Sequence, residues 1–386
     1  MPSTSKVCLQ VLPALVTGGV ERGTIDVAQA LAAAGWTALV ASSGGPMTRE
    51  LERVGARHIA LPLKTKNPLA LRRNARRIAE VVKSNHVSLI HARSRAPAWS
   101  ARAAAREMGI PFVTTFHGVY DLGPFGVKKF YNRVMAAGDR VIAISEFIRD
   151  HLMREYDVAV ERIRLIHRGV DLTQFDPARV APVRLIQLAQ KWRLMDSLPT
   201  IILPGRLSGW KGHRLLIEAL AVMKSRGLAQ LRCMMVGQGE TPGTAAALES
   251  HAESHGVGGW VQIVEDCNDL PAAYMVSDVV VSASTRPEAF GRVVAEGQAL
   301  GRPVVAPAHG AAQEIIEPGV TGWLFTPGDA VSLADAIERA LKLTREERER
   351  IASRAIERVR AKFDKADMCA KTIAVYDEVL AVKPPT

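Results

Sequence analysis

The stretch Val279-Val-Val-Ser282-Ala-Ser-Thr-Arg-Pro287-Glu288-Ala-Phe290-Gly291-Arg292-Val-Val-Ala-Glu296-Gly-Gln-Ala-Leu300 decides how the chain is read. Val279–Ser282 is a short β-branched run, which predicts a buried strand. Pro287 and Glu288 follow it in a loop, and Phe290-Gly291-Arg292 opens a helix over Arg292–Leu300 that carries Glu296. A strand, a loop and a helix in so few residues make one half of a βαβ unit, the repeat of a parallel sheet.

Outward from there the same rhythm recurs. In the first half strands are expected at Val7–Leu12, Ala38–Ala41, Val87–His91, Phe112–Phe116 and Arg140–Ile144. Helices are expected between them at Val20–Ala34, Pro68–Lys83, Ala96–Met108 and Val127–Ala136. A non-periodic segment around Asp171–Arg184 interrupts the pattern, which restarts with strands at Thr200–Pro204, Arg232–Val236, Trp260–Val264, Val279–Ser282 and Pro303–Ala306. Helices then fit His213–Arg226, Thr244–His255, Arg292–Leu300 and Ala330–Leu341, with two more in the tail at Glu346–Arg360 and Ala366–Leu380. The expected fold class is α/β, with two doubly wound Rossmann-like domains facing a cleft. The domains are placed at 1–180 and 181–362, with a helix in 363–386 returning to the first.

A chain of 386 residues suits two domains, and 48% hydrophobic with 23% charged residues describes a globular protein. Its cysteines (Cys8, Cys233, Cys267, Cys369) form no CxxC pair, which argues against a disulfide framework or zinc site and for a reducing compartment. No apolar run reaches the ~18–20 residues of a membrane span. The apolar start Val7–Val16 is interrupted by Gln10 and Pro13, so it reads as a first buried strand in preference to a signal peptide. Charge is uneven: residues 1–195 hold 29 Lys+Arg against 15 Asp+Glu, net +14, and residues 196–386 hold 21 against 24, net −3. The two halves therefore expect different partners.

Four clusters follow expected strands, where ligands of such sheets bind. Thr17-Gly18-Gly19-Val20-Glu21-Arg22 opens the first helix, and its glycines admit a phosphate or sugar close to the backbone. Gly205-Arg206-Leu207-Ser208-Gly209-Trp210-Lys211-Gly212 sets two cations among glycines, a combination that suits a diphosphate without being a Walker loop. Val236-Gly237-Gln238-Gly239-Glu240 keeps the backbone low beside a nucleotide. In the opening stretch, Glu288 and Glu296 are acceptors suited to pairs of sugar hydroxyls, while the N–H groups at 290–292 suit a phosphate. Each of these also reads as an ordinary turn or a solvated charge when taken alone.

In order, GGVER (18–22), FHG (116–118), RGVD (168–171), GRLSGWKG (205–212), VGQG (236–239) and EAFGRVVAE (288–296) resemble the retaining glycosyltransferases of family 4, with the GT-B fold. Gln313-Glu314-Ile315-Ile316 and Thr321-Gly322-Trp323-Leu324 fit as well. The likeness spans nearly the whole chain, and the seven residues between Glu288 and Glu296 match the family's E-x7-E element. The resemblance implies roles. Arg206 and Lys211 would hold the diphosphate of a UDP- or GDP-sugar and stabilise the leaving group. Glu288 would bind the transferred sugar and Glu296 the ribose. Phe290 and Gly291 would assist through their N–H groups, with Gly18 and Gly19 closing from the other domain and His117 beside the sugar. Gly237, Gly239, Glu265 and Asp266 would flank the nucleotide. It also implies retention of configuration, by front-face attack with the departing phosphate taking the acceptor's proton. No metal or other cofactor is expected beside the nucleotide-sugar co-substrate, in keeping with the lack of an Asp-x-Asp triplet.

The acceptor is expected on the basic first domain. Arg93 and Arg95, after the strand Val87–His91, are expected to read an acidic acceptor such as a phosphate or acidic sugar on a glycolipid. Arg72, Arg73, Arg76 and Arg77 fall on one broad helix face, with Lys64 and Lys66 in the loop before it, a set suited to an anionic membrane surface. Lys128 and Lys129, beside Arg133, Phe125 and Phe130, form a second; a solvated charged face explains both patches equally well. HARSRAPAW (91–99) together with EAFGR also resembles bacterial transferases of lipopolysaccharide core assembly. That implies a cytoplasmic protein held peripherally on the inner face of the cell membrane. A transferase with a small soluble acceptor is the alternative. A nucleic-acid-binding protein would need a binding module and stacking aromatics, which at 5% are scarce, and an epimerase of the same fold would not need E-x7-E. Nothing in the sequence fixes the oligomeric state.

Overall fold

The computed structural model describes residues 6–16 and 18–382, so Thr17 of the first glycine turn lies outside the described residues, as do the few residues at either end. The chain divides into two compact units, Met1–Arg168 with Lys365–Thr386, and Gly169–Asp364.

The first unit is built on seven strands, β1 (Val7–Val11), β2 (Thr37–Ser42), β3 (Arg57–Ala60), β4 (Leu89–Ala92), β5 (Phe112–Phe116), β6 (Arg140–Ala143) and β7 (Ile163–Leu165). They run in the order β3-β2-β1-β4-β5-β6-β7, every pairing parallel. All five residues of β1 are buried, because a strand at mid-sheet is covered on both faces. The apolar start is therefore the centre of a sheet.

The second unit has six strands, β8 (Thr200–Pro204), β9 (Arg232–Val236), β10 (Val261–Val264), β11 (Val279–Val281), β12 (Val304–Pro307) and β13 (Trp323–Phe325), in the order β10-β9-β8-β11-β12-β13. These pairings are parallel too. Each sheet has a point where the strand order reverses: between β1 and β4 in the first unit, and between β8 and β11 in the second. Loops leaving the carboxyl ends of those strands cannot cover one another, and a crevice results. Glu288 leaves β11 and Lys211 leaves β8, so the topology brings these loops together.

Three strands went unanticipated. β3, β7 and β13 are edge strands of three or four residues, and their burial is partial. Edge strands lack the continuous apolar run that marks a central one. The helices Glu146–Tyr156 and Pro182–Lys191 were also unanticipated. The boundary between units falls after Arg168, not at 180. Val170 forms a parallel bridge with Asp364, and its N–H donates to the Phe363 carbonyl at 2.7 Å, which ties the segment to the second unit.

The helix Lys365–Val382 belongs to the first unit, where Tyr376 and Val379 join the core with Leu12, Ile25 and Val113. Its Tyr376 hydroxyl meets His91 Nδ1 at 2.6 Å, and His91 Nε2 meets the Thr115 hydroxyl at 2.7 Å. Burial, and then the nearby Arg93, hold His91 well below the usual imidazole range, so this histidine is neutral. Burial likewise pushes the Cys8 thiol up to about 12. Among the described residues no helix is long and apolar enough to cross a membrane.

Candidate functional site

In the second unit the loop Gly205–Gly212 is stitched to both neighbouring strand exits. Toward β9, the Gly205 N–H donates to Val236 O at 2.8 Å and the Leu207 N–H to Gln238 O at 2.9 Å. A Cβ on Gly237 would stand 2.1 Å from Gly205 O, so the two loops touch backbone to backbone. Toward β11, the Thr285 N–H donates to Trp210 O at 2.8 Å. Gly212, at φ +77°, lies so close to Ala283 that a Cβ would stand 1.8 Å from its carbonyl oxygen. Only glycine fits both the left-handed backbone and the contact.

This stitching delivers Lys211 to Glu288. Lys211 Nζ donates to Glu288 Oε1 at 2.7 Å, and each side chain is 17% exposed. The Ser284 hydroxyl donates to the same carboxylate. Lys211 also stands 4.4 Å from the centre of the Trp210 ring. From the other side, the His309–Ala311 loop packs on the Glu288 backbone: Ala311 N–H donates to Glu288 O at 3.0 Å, and a Cβ on Gly310 would reach that oxygen at 2.5 Å. The Arg206 side chain is exposed and makes no hydrogen bond or ion pair among the described residues. The loop thus presents one committed cation and one free one.

Gly291, at φ +81°, caps the helix Arg292–Ala299, and Phe290 is buried against Phe363 with ring centres 5.9 Å apart. Glu296 is 5% exposed. It accepts from Tyr274 Oη at 3.0 Å and from Arg292 Nη2 at 2.8 Å. Glu296 is therefore a buried, already bonded carboxylate, and only its remaining lone pairs are open to a ribose. Burial, with Glu296 next, raises the Tyr274 phenol well above its usual range, so it stays a donor. Gly239, Glu265 and Asp266 line an open pocket of about 560 Å³ with Gln238 and Thr241, at the carboxyl ends of β9 and β10. Glu265 and Asp266 are exposed there.

In the first unit two buried arginines secure the start of the helix Gly19–Ala33. Arg168 donates to Gly19 O, and a Cβ on Gly23 would stand 3.0 Å from the Arg168 guanidinium. Arg93 donates to Gly23 O and, through Nε, to the Thr24 hydroxyl at 3.2 Å. Gly18 precedes this helix in an extended conformation, with Glu21 filling the space a side chain would need. His117 follows β5, and neither ring nitrogen has a partner among the described residues, although both are out of solvent. Burial, then Arg93 and Arg168, press its pKa well below the usual value. It is a neutral imidazole, free to donate from one nitrogen and accept at the other.

Arg93 requires correction: at 4% exposure, with its guanidinium spent on Gly23 and Thr24, it does not face an acceptor. Arg95 is half-buried, 4.2 Å over the Tyr120 ring and donating to Asn132 Oδ1 at 2.8 Å. Arg72, Arg73, Arg76 and Arg77 are all exposed on the helix Pro68–Ser84, opposite its buried Ala75, Ile78 and Val82. The second basic patch is partly neutralised, since Lys128 pairs with Asp121 at 2.6 Å and Lys129 stands 4.0 Å from Glu155. Phe125 and Phe130 beside it are fully and largely exposed. Sequence reasoning missed Ser284 and Tyr274, which carry no motif of their own.

Two parallel, doubly wound units, with a lysine–carboxylate pair at the switch point of the second, define a GT-B glycosyltransferase, an enzyme. Residues 17–174 match the model of Glycosyltransferase Family 4, and residues 187–358 that of Glycosyl transferases group 1. A glycosyltransferase of known structure from Rickettsia africae ESF-5 is 38% identical, with a TM-score of 0.90 over 97% of this chain and 99% of that one. Anabaena HepE, solved in complex with UDP-glucose, is 25% identical, with a TM-score of 0.81 over 96% of this chain and 99% of its own. A D-inositol 3-phosphate glycosyltransferase from Nocardioides sp. is 26% identical over 93% of this chain and 85% of that protein. The chain belongs to the group 1 glycosyltransferases with a family 4 amino-terminal domain.

Proposed function

We propose that the enzyme transfers a hexose, with retention of configuration, from a UDP- or GDP-sugar to a membrane-associated glycolipid of the lipopolysaccharide-core type. The observation that carries the donor half is the Lys211–Glu288 pair beside the free Arg206. A diphosphate arriving at Arg206 competes with Glu288 for Lys211. The released carboxylate is then an acceptor for sugar hydroxyls, still oriented by Ser284. Each such bond to a charged group is worth about 1.5–3 kcal/mol. Arg206 and Lys211 stabilise the charge that develops on the departing phosphate. The departing phosphate then accepts the acceptor's proton. HepE, with its bound UDP-glucose, favours UDP over GDP as the carrier. NMR of the product's anomeric proton tests the stereochemistry: a configuration opposite to that of the donor sugar sinks the retaining mechanism.

Arg95 and the exposed Arg72, Arg73, Arg76 and Arg77 support an anionic acceptor at the inner face of the cell membrane. Arginines near such a surface contribute about 1 kcal/mol each. A second reading, a small soluble phosphorylated acceptor, is favoured by the likeness to D-inositol 3-phosphate glycosyltransferases. Vesicle co-sedimentation separates the two. Salt-sensitive binding to anionic vesicles, lost when the four arginines become glutamine, supports the glycolipid; no binding at low salt favours the soluble acceptor.

A further inference from the structure

Beside the Gly205–Gly212 loop, within the second unit, lies a cavity of about 90 Å³ lined by Ser208, His213, Arg214, Thr244 and Leu248 among others. Neither Arg206 nor Lys211 lines it. His213 is 2% and Ser208 6% exposed, yet the Ser208 hydroxyl has no hydrogen-bond partner among the described residues, and the His213 ring approaches the Ser208 backbone without good hydrogen-bond geometry. Buried polar groups are seldom left so, because each costs about 1–3 kcal/mol. Such groups around one cavity call for an occupant.

The chemistry of the lining says which kind. His213 opens the helix His213–Ser225, whose capping position is Gly212 and offers no side chain. The first N–H groups of that helix, with the positive end of its dipole, therefore lie at the cavity. Arg214 is exposed and has no ionic partner among the described residues. Ser208 adds a hydroxyl and His213 one ring N–H. No carboxylate lines the space. One water needs roughly 10–15 Å³, so the cavity has room for several waters or one tetrahedral oxyanion. Cationic and donor groups without an acidic counterpart select the anion.

We propose that this cavity binds an oxyanion the size of phosphate, at a site separate from the donor's diphosphate. Bound there, the anion would tie the catalytic loop to the helix Thr244–Ser254, whose Thr244 and Leu248 also line the cavity.

The test uses the full chain, inorganic phosphate, and chloride at matched ionic strength, read by thermal midpoint and by ³¹P line broadening. UDP is present at saturation to fill the diphosphate site. Phosphate is expected to stabilise the protein saturably with UDP bound. Losing one hydrogen bond to the anion, in Ser208→Ala or in Arg214→Gln, should weaken its Kd about tenfold or more. Arg214→Gln should leave the stabilisation by UDP unchanged. No phosphate-specific effect would mean a cavity holding water alone and would overturn the proposal. So would an effect that UDP or Lys211→Met abolishes and Ser208→Ala leaves untouched, since the anion would then sit in the donor site. If UDP itself gives no shift, the donor assignment fails, and the Ser208 and Arg214 variants still decide the anion site.

Discussion

Lys211→Met removes the cation from a pair whose partners are 2.7 Å apart and only 17% exposed. Two consequences are expected, and they separate. If Lys211 does no more than hold Glu288 in place, the loss is confined to that carboxylate, which keeps its bond from Ser284. If Lys211 also meets the departing phosphate, removing one such electrostatic contact costs about 10²–10³ in kcat, or roughly 2.7–4 kcal/mol of barrier. The assay is a double-mutant cycle of Lys211→Met and Glu288→Gln, with kcat and KM measured at saturating acceptor. Glu288→Gln keeps the shape and removes the charge, so it breaks the pair without touching the lysine. The expected result is that Lys211→Met lowers kcat a further tenfold or more in the Glu288→Gln background. A double mutant as active as Glu288→Gln alone would show that Lys211 only positions the carboxylate. Lys211→Met within about threefold of wild type would refute its role altogether.

Gly212→Ala places a methyl 1.8 Å from Ala283 O at φ +77°; a destabilisation of about 3 kcal/mol, read from the urea midpoint, is expected, with loss of transfer because Lys211 shifts. The enzyme should also lose stability on acidification. Burial lowers His213 to about 4, against an ordinary value of 6.5. A group protonated only on unfolding contributes stability that is intact above pH 6.5 and is lost as the pH falls toward 4. The loss approaches about 3 kcal/mol at the lower end, and His91 and His117 shift in the same direction. Urea midpoints from pH 7.5 to 4.5 check this; a flat profile contradicts neutral burial. Arg95→Ala should raise acceptor KM several-fold and leave donor KM unchanged. Arg93→Ala, by contrast, should lower the melting temperature.

Central strands were legible because burial on both faces demands uninterrupted apolar residues, as in Val279–Val281 and Thr200–Pro204. The edge strand Arg57–Ala60 was not, since one side meets solvent and its composition resembles loop. The site divides in the same way. Placing Lys211 and Glu288 after strands foretold that both would lie in loops. Their direct bond spans 77 residues of sequence and depends on the Gly212–Ala283 contact, which no local pattern announces. The Arg292–Glu296 pair follows from its i,i+4 spacing, but the Tyr274 bond that fills the same carboxylate does not. Arg93 misled because an arginine after a strand usually faces solvent. The carbonyl it satisfies, Gly23 O, lies 70 residues away in sequence.

The proposed role of the Glu288–Lys211 corner is to hold a sugar nucleotide for transfer. It is tested most directly by thermal shift over UDP-, GDP- and ADP-sugars, run on wild type and on Glu288→Ala and followed by transfer assays of both. One nucleotide sugar should stabilise the wild type, by about 2.7 kcal/mol at 100 times its Kd, and Glu288→Ala should lose transfer with that donor. Stabilisation by none of them, together with transfer by Glu288→Ala at the wild-type rate, would contradict the account.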